Sequence, residues 1–353
     1  MNLSSLYRLC APIRIANVAL LVTVCTGFLL FSQNANADEP ESLSVMSWNL
    51  EWFFDNQDAD NFSELAKEKC APSRADWDWR RDAVARAVAT SKPTIVALQE
   101  IENQRVLYYL SRALDRNHSL QYDDLFIQGR DFFTEQDVGM LFREPADAVL
   151  ISQMRRTREQ SGGSTYFDVS KHILAVFEFP VGETTERVTV MNVHLRARLE
   201  GLPMRIRQAR LIHQWIGQAI ENGENIILLG DMNTEERGDR TLPESDLGIL
   251  AGMETDRPDD DLVDLCLHIA GADRQTHLLP GRQFDRILVS QSLIDDTPGK
   301  KDLVFESIQV AKYLCVQGAQ DEPEVHWEQY WQIPEDERDL SDHYPLIATF
   351  GVK

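Results

Sequence analysis

Six short polar segments follow or end apolar runs of the kind that form buried strands. In chain order they are Ser47-Trp48-Asn49, Leu98-Gln99-Glu100, Asn192-Val193-His194, Gly230-Asp231-Met232-Asn233, Phe284-Asp285-Arg286 and Ser341-Asp342-His343. A polar side chain at the end of a buried strand needs a polar partner, so we expect the six segments to meet in one site. Carboxylates, carboxamides and two imidazoles gathered together suit a magnesium-dependent reaction at a phosphoester.

The acids and one amide are the candidate ligands of a divalent cation. Magnesium takes oxygen ligands and is commonly held by one or two carboxylates, together with water and substrate oxygens. We assign Glu100, which follows the apolar run at 95–98, as the main metal carboxylate and Asp342 as a second ligand. Asn49 would bind the same ion, orient Glu100 or hold a metal-bound water. We expect Mg²⁺, with Ca²⁺ or Mn²⁺ as alternatives; taken alone, Glu100 could equally be a surface acid.

Acid–base roles fall to two histidines and the acids near them. His343 would take the proton from water or bind the reacting phosphate, while Asp285 fixes its tautomer as the acid of a catalytic triad does. His194 would protonate the leaving oxygen or hydrogen-bond to the phosphate. Asp231 would align the attacking water and Asn233 would bind the phosphate; an Asx turn is the alternative interpretation of this pair. The remaining histidines are assigned structural roles by default.

Arginines next to these segments are candidate phosphate ligands. Arg196 and Arg198 follow His194, and Arg286 follows Asp285. Guanidinium groups bind phosphate oxygens in a bidentate manner, so these three residues would form a local positive site. A face of solvated arginines is the ordinary alternative.

The elements that must position these residues alternate between strands and helices. We predict strands at 43–48, 94–98, 138–142, 173–179, 187–193, 225–229, 285–290 and 344–350, and helices at 79–90, 106–114 and 205–220. This order, which includes hairpin-like pairs, predicts an α/β fold with two mixed β-sheets packed face to face and flanked by helices.

Three stretches, at 55–78, 152–164 and 318–340, interrupt this pattern. Residues 55–78 have the composition of a solvated surface loop. Residues 318–340 are acidic but carry Trp327, Tyr330 and Trp331, and they run directly into Ser341. We expect this third stretch to cap or shape the mouth of the site.

The amino terminus has the features of an export signal. Two arginines precede an apolar run at 15–31, and a small-x-small cleavage motif ends at Ala37. We predict a secretory signal at 1–37, with a short anchor helix as the alternative, and a single catalytic domain at 38–353. The product would be periplasmic or secreted, without a membrane span after cleavage, and monomeric. One pair among Cys70, Cys266 and Cys315 could then oxidise, and the sequence does not indicate which.

The net charge opposes a polyanionic substrate. The chain of 353 residues carries −22, and removal of the two arginines in the predicted signal makes this −24. A strongly acidic protein does not attract nucleic acid through its overall field, so a nuclease would depend on metal ions and local arginines.

With all six segments in order between about 43 and 350, the chain resembles the endonuclease/exonuclease/phosphatase superfamily, and is most similar to its deoxyribonuclease I-like branch. The resemblance implies a four-layer α/β sandwich, dependence on a divalent metal, and hydrolysis by water without a covalent intermediate. Where that branch has a DNA-gripping arginine, two residues after the metal glutamate, this chain has Glu102. This departure weakens the prediction of duplex DNA as substrate.

Three functions fit these features. The first is an exported metal-dependent nuclease that hydrolyses DNA or RNA. The second is a phosphoesterase acting on a lipid or small molecule, similar to a sphingomyelinase or an inositol phosphatase, in which the aromatic loop would touch substrate or membrane. The third, a binding protein without activity, is disfavoured because each catalytic position holds a competent residue.

Overall fold

The computed structural model describes residues 42–154, 157–158, 166–167, 169–236 and 240–353. The predicted export signal lies outside these ranges. The strands are β1 Ser42–Phe53, β2 Ile95–Ile101, β3 Asp123–Phe126, β4 Asp137–Phe142, β5 Asp147–Ser152, β6 Thr157–Arg158, β7 Tyr166–Phe167, β8 His172–Val181, β9 Thr184–His194, β10 Asn225–Asp231, β11 Leu262–Asp264, β12 Asp285–Ser290, β13 Leu303–Val310 and β14 Leu346–Val352. The α-helices are α1 Glu64–Lys69, α2 Arg74–Ser91, α3 Gln104–His118, α4 Leu202–Glu221, α5 Asp246–Leu250 and α6 Pro323–Gln329.

Each predicted strand and helix coincides with one of these elements, although the structure extends most of them. The prediction of a surface loop at 55–78 is wrong, because this stretch contains α1 and the first turn of α2. Ser63 and Ser73 cap the two helices through their side chains. Ala66 and Trp77 are buried, so two short apolar faces hold the segment against the protein.

Two six-stranded sheets form the centre of the fold. Their strand orders are β13-β14-β1-β2-β4-β3 and β11-β12-β10-β9-β8-β5. The pairs β1–β2 and β9–β10 are parallel, and the other pairs in these sheets are antiparallel. Both sheets are therefore mixed, as the alternation of helices and hairpins predicts.

Side chains alternate between the two faces of each sheet and define the layers. Val45 of β1 and Ile227 of β10 belong to the core between the sheets. On the outer face of the first sheet, Trp48 packs with residues of α2 and α3. On the outer face of the second, Leu228 packs with Ile212 of α4. This order of helix, sheet, sheet and helix confirms the predicted four-layer sandwich.

A polar contact joins the two sheets inside this core. Gln99 of β2 donates from Nε2 to Oδ1 of Asn192 on β9, at 2.7 Å. The Asn192 amide in turn donates to the carbonyl oxygens of Leu98 and Gly139, at 2.9 and 3.0 Å. Because unpaired polar groups are costly in an apolar core, these bonds fix the position of one sheet on the other. Gln99 lies one residue before Glu100, and Asn192 lies two residues before His194.

The described residues include no helix that is long and apolar enough to cross a bilayer. Cys70, Cys266 and Cys315 are all buried thiols, and none of them forms a disulfide with another. The sequence left open whether a pair oxidises, and in the structure all three thiols are free.

Candidate active site

The strand registers bring the polar segments to one edge of the sandwich. Asp231, the last residue of β10, lies opposite both His194 on β9 and Asp285 on β12. The preceding Gly230 has φ of +134°, and a Cβ atom there would lie 2.0 Å from the carbonyl oxygen of Val193. Glycine is therefore required for β10 to lie this close to β9 and carry Asp231 into the site.

A bulge directs Glu100 into the same site. The pairing of β2 shifts between Gln99 and Ile101, and Glu100 has φ of +58°. Its Oε2 accepts hydrogen bonds from the backbone N–H of Trp52, at 3.0 Å, and from the Gln136 amide. Burial, reinforced by the negative charge of Asp342, raises the pKa of Glu100 to about 7. Such a crowded carboxylate is stabilised in its charged form by a cation.

Asn49 connects carboxylates that belong to the two sheets. Its Nδ2 donates to Oε1 of Glu100 at 3.1 Å and to Oδ2 of Asp231 at 2.9 Å. Its Oδ1 accepts the backbone N–H of Glu51 at 2.9 Å. These contacts fit the orienting role considered for Asn49, and its amide oxygen keeps a second lone pair that could bind a metal ion.

His194 lies between two acids and a lysine. Its Nε2 is 3.5 Å from Oδ2 of Asp231 and 3.8 Å from Oε1 of Glu100. Burial, together with the positive charges of Lys171 and His343, lowers the pKa of His194 well below its usual value. The imidazole is therefore neutral near pH 7, which suits a hydrogen-bond donor more than a charged acid.

His343 has the supporting carboxylate predicted for it. Its Nδ1 lies 2.8 Å from Oδ2 of Asp285, and its Nε2 is 3.8 Å from Oδ2 of Asp231. Burial opposes the charged form, but Asp285 and Asp231 hold the pKa of His343 well above its usual value. The backbone of this segment is fixed by Trp48, whose indole N–H donates to the His343 carbonyl oxygen at 3.0 Å.

Asp342 contacts His277, which was assigned a structural role by default, and Trp327, which belongs to the stretch expected to shape the mouth of the site. Its Oδ2 accepts the indole N–H of Trp327 at 2.9 Å and lies 3.4 Å from Nε2 of His277. The His277 and His343 rings meet edge to face, with centroids 4.7 Å apart. Although burial opposes ionisation, the His277 hydrogen bond and the His343 charge lower the pKa of Asp342.

The Asp-x-Asn segment forms the Asx turn that was its alternative interpretation. The backbone N–H of Asn233 donates to Oδ1 of Asp231 at 2.9 Å. The Asn233 amide donates to the Leu195 carbonyl oxygen at 3.1 Å. The turn thus places Asn233 beside Asp231 and in contact with Leu195, the residue immediately before Arg196.

The three predicted phosphate arginines have different environments. Arg196 and Arg198 are exposed, and their backbone carbonyl oxygens accept hydrogen bonds from the buried Arg205 at 2.9 and 2.6 Å. Arg286 is buried and forms an ion pair with Asp264 at 2.9 Å. Since side chains alternate along β12, Arg286 points away from the face that carries its neighbour, so its placement argues against contact with phosphate.

The donor set fits a hard divalent cation. Possible ligand atoms of Glu100, His194 and Asp231 lie within 4.8 Å of one another, as do those of Asp231, Asp285 and His343. Asp342 belongs to another such group, with His277 and His343. Burial raises the pKa of Asp231 as well as that of Glu100, so bound positive charge would relieve a shared electrostatic cost. Oδ1 of Asp285 is buried and has no hydrogen-bond partner among the described residues.

Comparison with known proteins agrees with this geometry. A model of the Endonuclease/Exonuclease/phosphatase family matches residues 46–343, so the chain belongs to this family. The fold and the site together define a class of phosphoester hydrolases in which metal dependence is common. The search of curated proteins found no match.

Solved structures share the fold at low identity. The catalytic domain of human Nocturnin with bound sulfate is 16% identical, with a TM-score of 0.54, 89% of this chain and 95% of that chain covered. TDP2 of D. rerio complexed with a single-strand DNA product is 17% identical, with a TM-score of 0.52 and coverage of 88% and 99%. An endonuclease/exonuclease/phosphatase from Bacteroides vulgatus is 18% identical, with a TM-score of 0.55 and coverage of 88% and 99%.

Lys171, a positively charged side chain at the edge of the site, was not predicted from the sequence. Lys171 forms an ion pair with Asp131 at 3.1 Å and hydrogen-bonds to Oε1 of Gln136 at 3.4 Å. Its backbone carbonyl oxygen accepts the N–H of His194 at 3.1 Å. The only signal in the sequence was its position immediately before the strand that pairs with β9.

Proposed function

We propose that this chain is an exported nuclease that hydrolyses a phosphodiester bond of DNA or RNA with the help of a divalent cation. The convergence of Glu100, His194, Asp231 and His343 within one buried site carries the proposal. Glu100, oriented by Asn49, would hold Mg²⁺ together with Asp342, whose charge acts on Glu100, with Ca²⁺ or Mn²⁺ as alternatives. The bound ion supplies positive charge to the phosphoryl oxygens.

The roles proposed for the other residues of the site follow from their charge states. Because its pKa is raised, His343 is the imidazolium that hydrogen-bonds to the phosphate, and Asp285 keeps it charged and oriented. Neutral His194 donates a second hydrogen bond to the phosphate. Asp231 orients the attacking water and accepts its proton, and the burial that raises its pKa makes its carboxylate a stronger base. Lys171 adds positive charge beside His194.

A substrate panel tests this function. Purified protein is incubated with plasmid DNA, single-stranded DNA, RNA, sphingomyelin and a phosphorylated inositol, each with Mg²⁺ and with a chelator. We expect metal-dependent cleavage of nucleic acid, abolished in His343→Ala, whose thermal unfolding must remain cooperative. Turnover of the lipid or the inositol alone would refute the nuclease assignment.

A second candidate, a lipid phosphoesterase, is favoured by an aromatic group near Glu100. Phe62, Phe132 and Phe133 are largely exposed. The backbone N–H of Phe62 donates to Glu135 at 2.9 Å, so its loop contacts the turn that contains the other two. The next residue along, Gln136, bonds to Glu100. These three exposed rings would insert into a zwitterionic membrane. This candidate is supported only if the protein both binds phosphatidylcholine vesicles and hydrolyses sphingomyelin.

A further inference from the structure

Helix α6 places one exposed aromatic ring beside the reacting groups. Trp327 is 40% exposed, and its indole N–H donates to Asp342 at 2.9 Å. Its ring centroid lies 6.3 Å from that of His277, which is 4.7 Å from that of His343. The indole therefore forms part of the wall of the site, one ring away from the imidazolium assigned to the phosphate.

The other two aromatic residues of this segment have structural roles. Tyr330 stacks on the guanidinium groups of Arg80 and Arg338, at 4.8 and 5.2 Å. Trp331 packs against the outer core and lies 5.2 Å from the Arg338 guanidinium. These contacts anchor the segment, and they do not involve Trp327. Its exposure is therefore not explained by the packing that holds the loop in place.

The orientation of Trp327 is fixed before any ligand binds. The buried His326 beside it lies 2.6 Å from Glu51 and 2.7 Å from Asp321, so the helix is attached on both sides. The hydrogen bond from the indole N–H to Asp342 holds one edge of the Trp327 ring. The part of the side chain that remains exposed is apolar. Such a ring loses little conformational entropy when another flat group stacks on it.

We propose that Trp327 is the stacking platform for the nucleobase next to the scissile phosphate, and that the substrate is single-stranded or unpaired nucleic acid. This inference rests on the proposed nuclease function. Aromatic side chains bind bases without regard to sequence, but the base must leave its duplex stack to expose a face.

The charge of the protein favours the same interaction. Glu324 and Glu328 flank Trp327 on α6, and the whole chain carries −22. This field repels phosphates but has little effect on a neutral base. Basic nucleases obtain affinity from contacts with the phosphate backbone. In this acidic protein, stacking of a base on Trp327 would supply that affinity instead.

The test uses three single-stranded oligonucleotides, each with one cleavable phosphodiester. One has a base on both sides of that bond, and the other two lack the base on the 5′ or the 3′ side. We expect Trp327→Ala to lower kcat/KM roughly 10- to 100-fold on the intact oligonucleotide, and to have a much smaller effect on one of the abasic versions. Trp327→Phe, which keeps a ring but loses the N–H, should retain most of the activity.

A control variant separates stacking from general loss of an aromatic residue. Tyr313→Ala removes a ring that is 61% exposed, and should match the wild type on all three substrates. An equal loss for Trp327→Ala on all three would overturn the proposal and indicate that Trp327 only positions Asp342. Cleavage of duplex but not single strands by the wild type would also overturn it. Failure of the wild type on every nucleic acid would refute the nuclease function itself.

Discussion

Replacement of Asp285 by asparagine tests the charge relationship on which the mechanism depends. Asp285 and His343 are both buried, and Oδ2 lies 2.8 Å from Nδ1. At this distance, and with an effective dielectric constant of about 20, the attraction between the charges is about 6 kcal/mol before desolvation is subtracted. A hydrogen bond to a charged group contributes about 1.5–3 kcal/mol net. We therefore expect Asp285→Asn to lower kcat by roughly 10- to 200-fold.

The same substitution should move the pH profile in a defined direction. Asp285 raises the pKa of His343, so its neutralisation lowers that pKa. If the imidazolium is the active form, the alkaline limb of kcat must shift to lower pH. The assay is steady-state cleavage of a labelled oligonucleotide at saturating substrate and Mg²⁺, measured from pH 6 to pH 10.

A matched variant controls for the loss of a buried carboxylate. Asp264→Asn breaks the ion pair with Arg286 on the other face of β12. It should lower the melting temperature without moving the pH profile. Wild-type kcat in Asp285→Asn, or the same alkaline shift in both variants, would refute the role given to Asp285.

Three further predictions concern the backbone, the metal and the capping segment. Gly230→Ala should abolish activity or folding, because a Cβ would lie 2.0 Å from the Val193 carbonyl oxygen, and circular dichroism with an activity assay checks this. Since the pKa of Glu100 is about 7 and cations bind its charged form, the dissociation constant of Mg²⁺ should rise up to about tenfold per unit as pH falls below 7, measured by calorimetry. Burial opposes the charge of His326, but Glu51 and Asp321 raise its pKa to about 10, so its stabilisation is complete below its unfolded pKa of about 6.5 and is lost as pH rises to 10. Urea unfolding at pH 7 and pH 10 should therefore show a smaller pH dependence in His326→Gln, and an unchanged dependence would contradict this assignment.

The sequence predicts the strand-end residues well because a polar side chain at the end of a buried strand requires a polar partner or a ligand. Glu100, His194, Asp231 and His343 were all recognised in this way, and the structure brings them together. Arg286 was misplaced because it is adjacent to Asp285 in sequence, whereas neighbours on a strand face opposite sides. Strict use of this alternation would have assigned Arg286 to the outer face.

The contacts that His277 and Trp327 make with Asp342 could not be predicted from the sequence. His277 and Trp327 reach Asp342 from segments that lie far apart in the chain, and no periodic pattern indicates where their ends meet. The aromatic segment was recognised, but residue type does not indicate which of Trp327, Tyr330 and Trp331 faces the site. In the structure, Tyr330 and Trp331 contact arginines, whereas Trp327 is exposed and bonds to Asp342.

The central claim is that side chains from six distant segments form one divalent-metal site for phosphoester hydrolysis. Calorimetric titration of Mg²⁺ into the wild type, Glu100→Gln and Glu135→Gln tests it most directly. Glu135 is a control because its carboxylate caps the backbone N–H groups of Phe62 and Ser63. We predict that Glu100→Gln weakens Mg²⁺ binding at least about tenfold and removes metal-dependent cleavage, while Glu135→Gln does neither. Unchanged Mg²⁺ affinity in a folded Glu100→Gln variant would contradict the account.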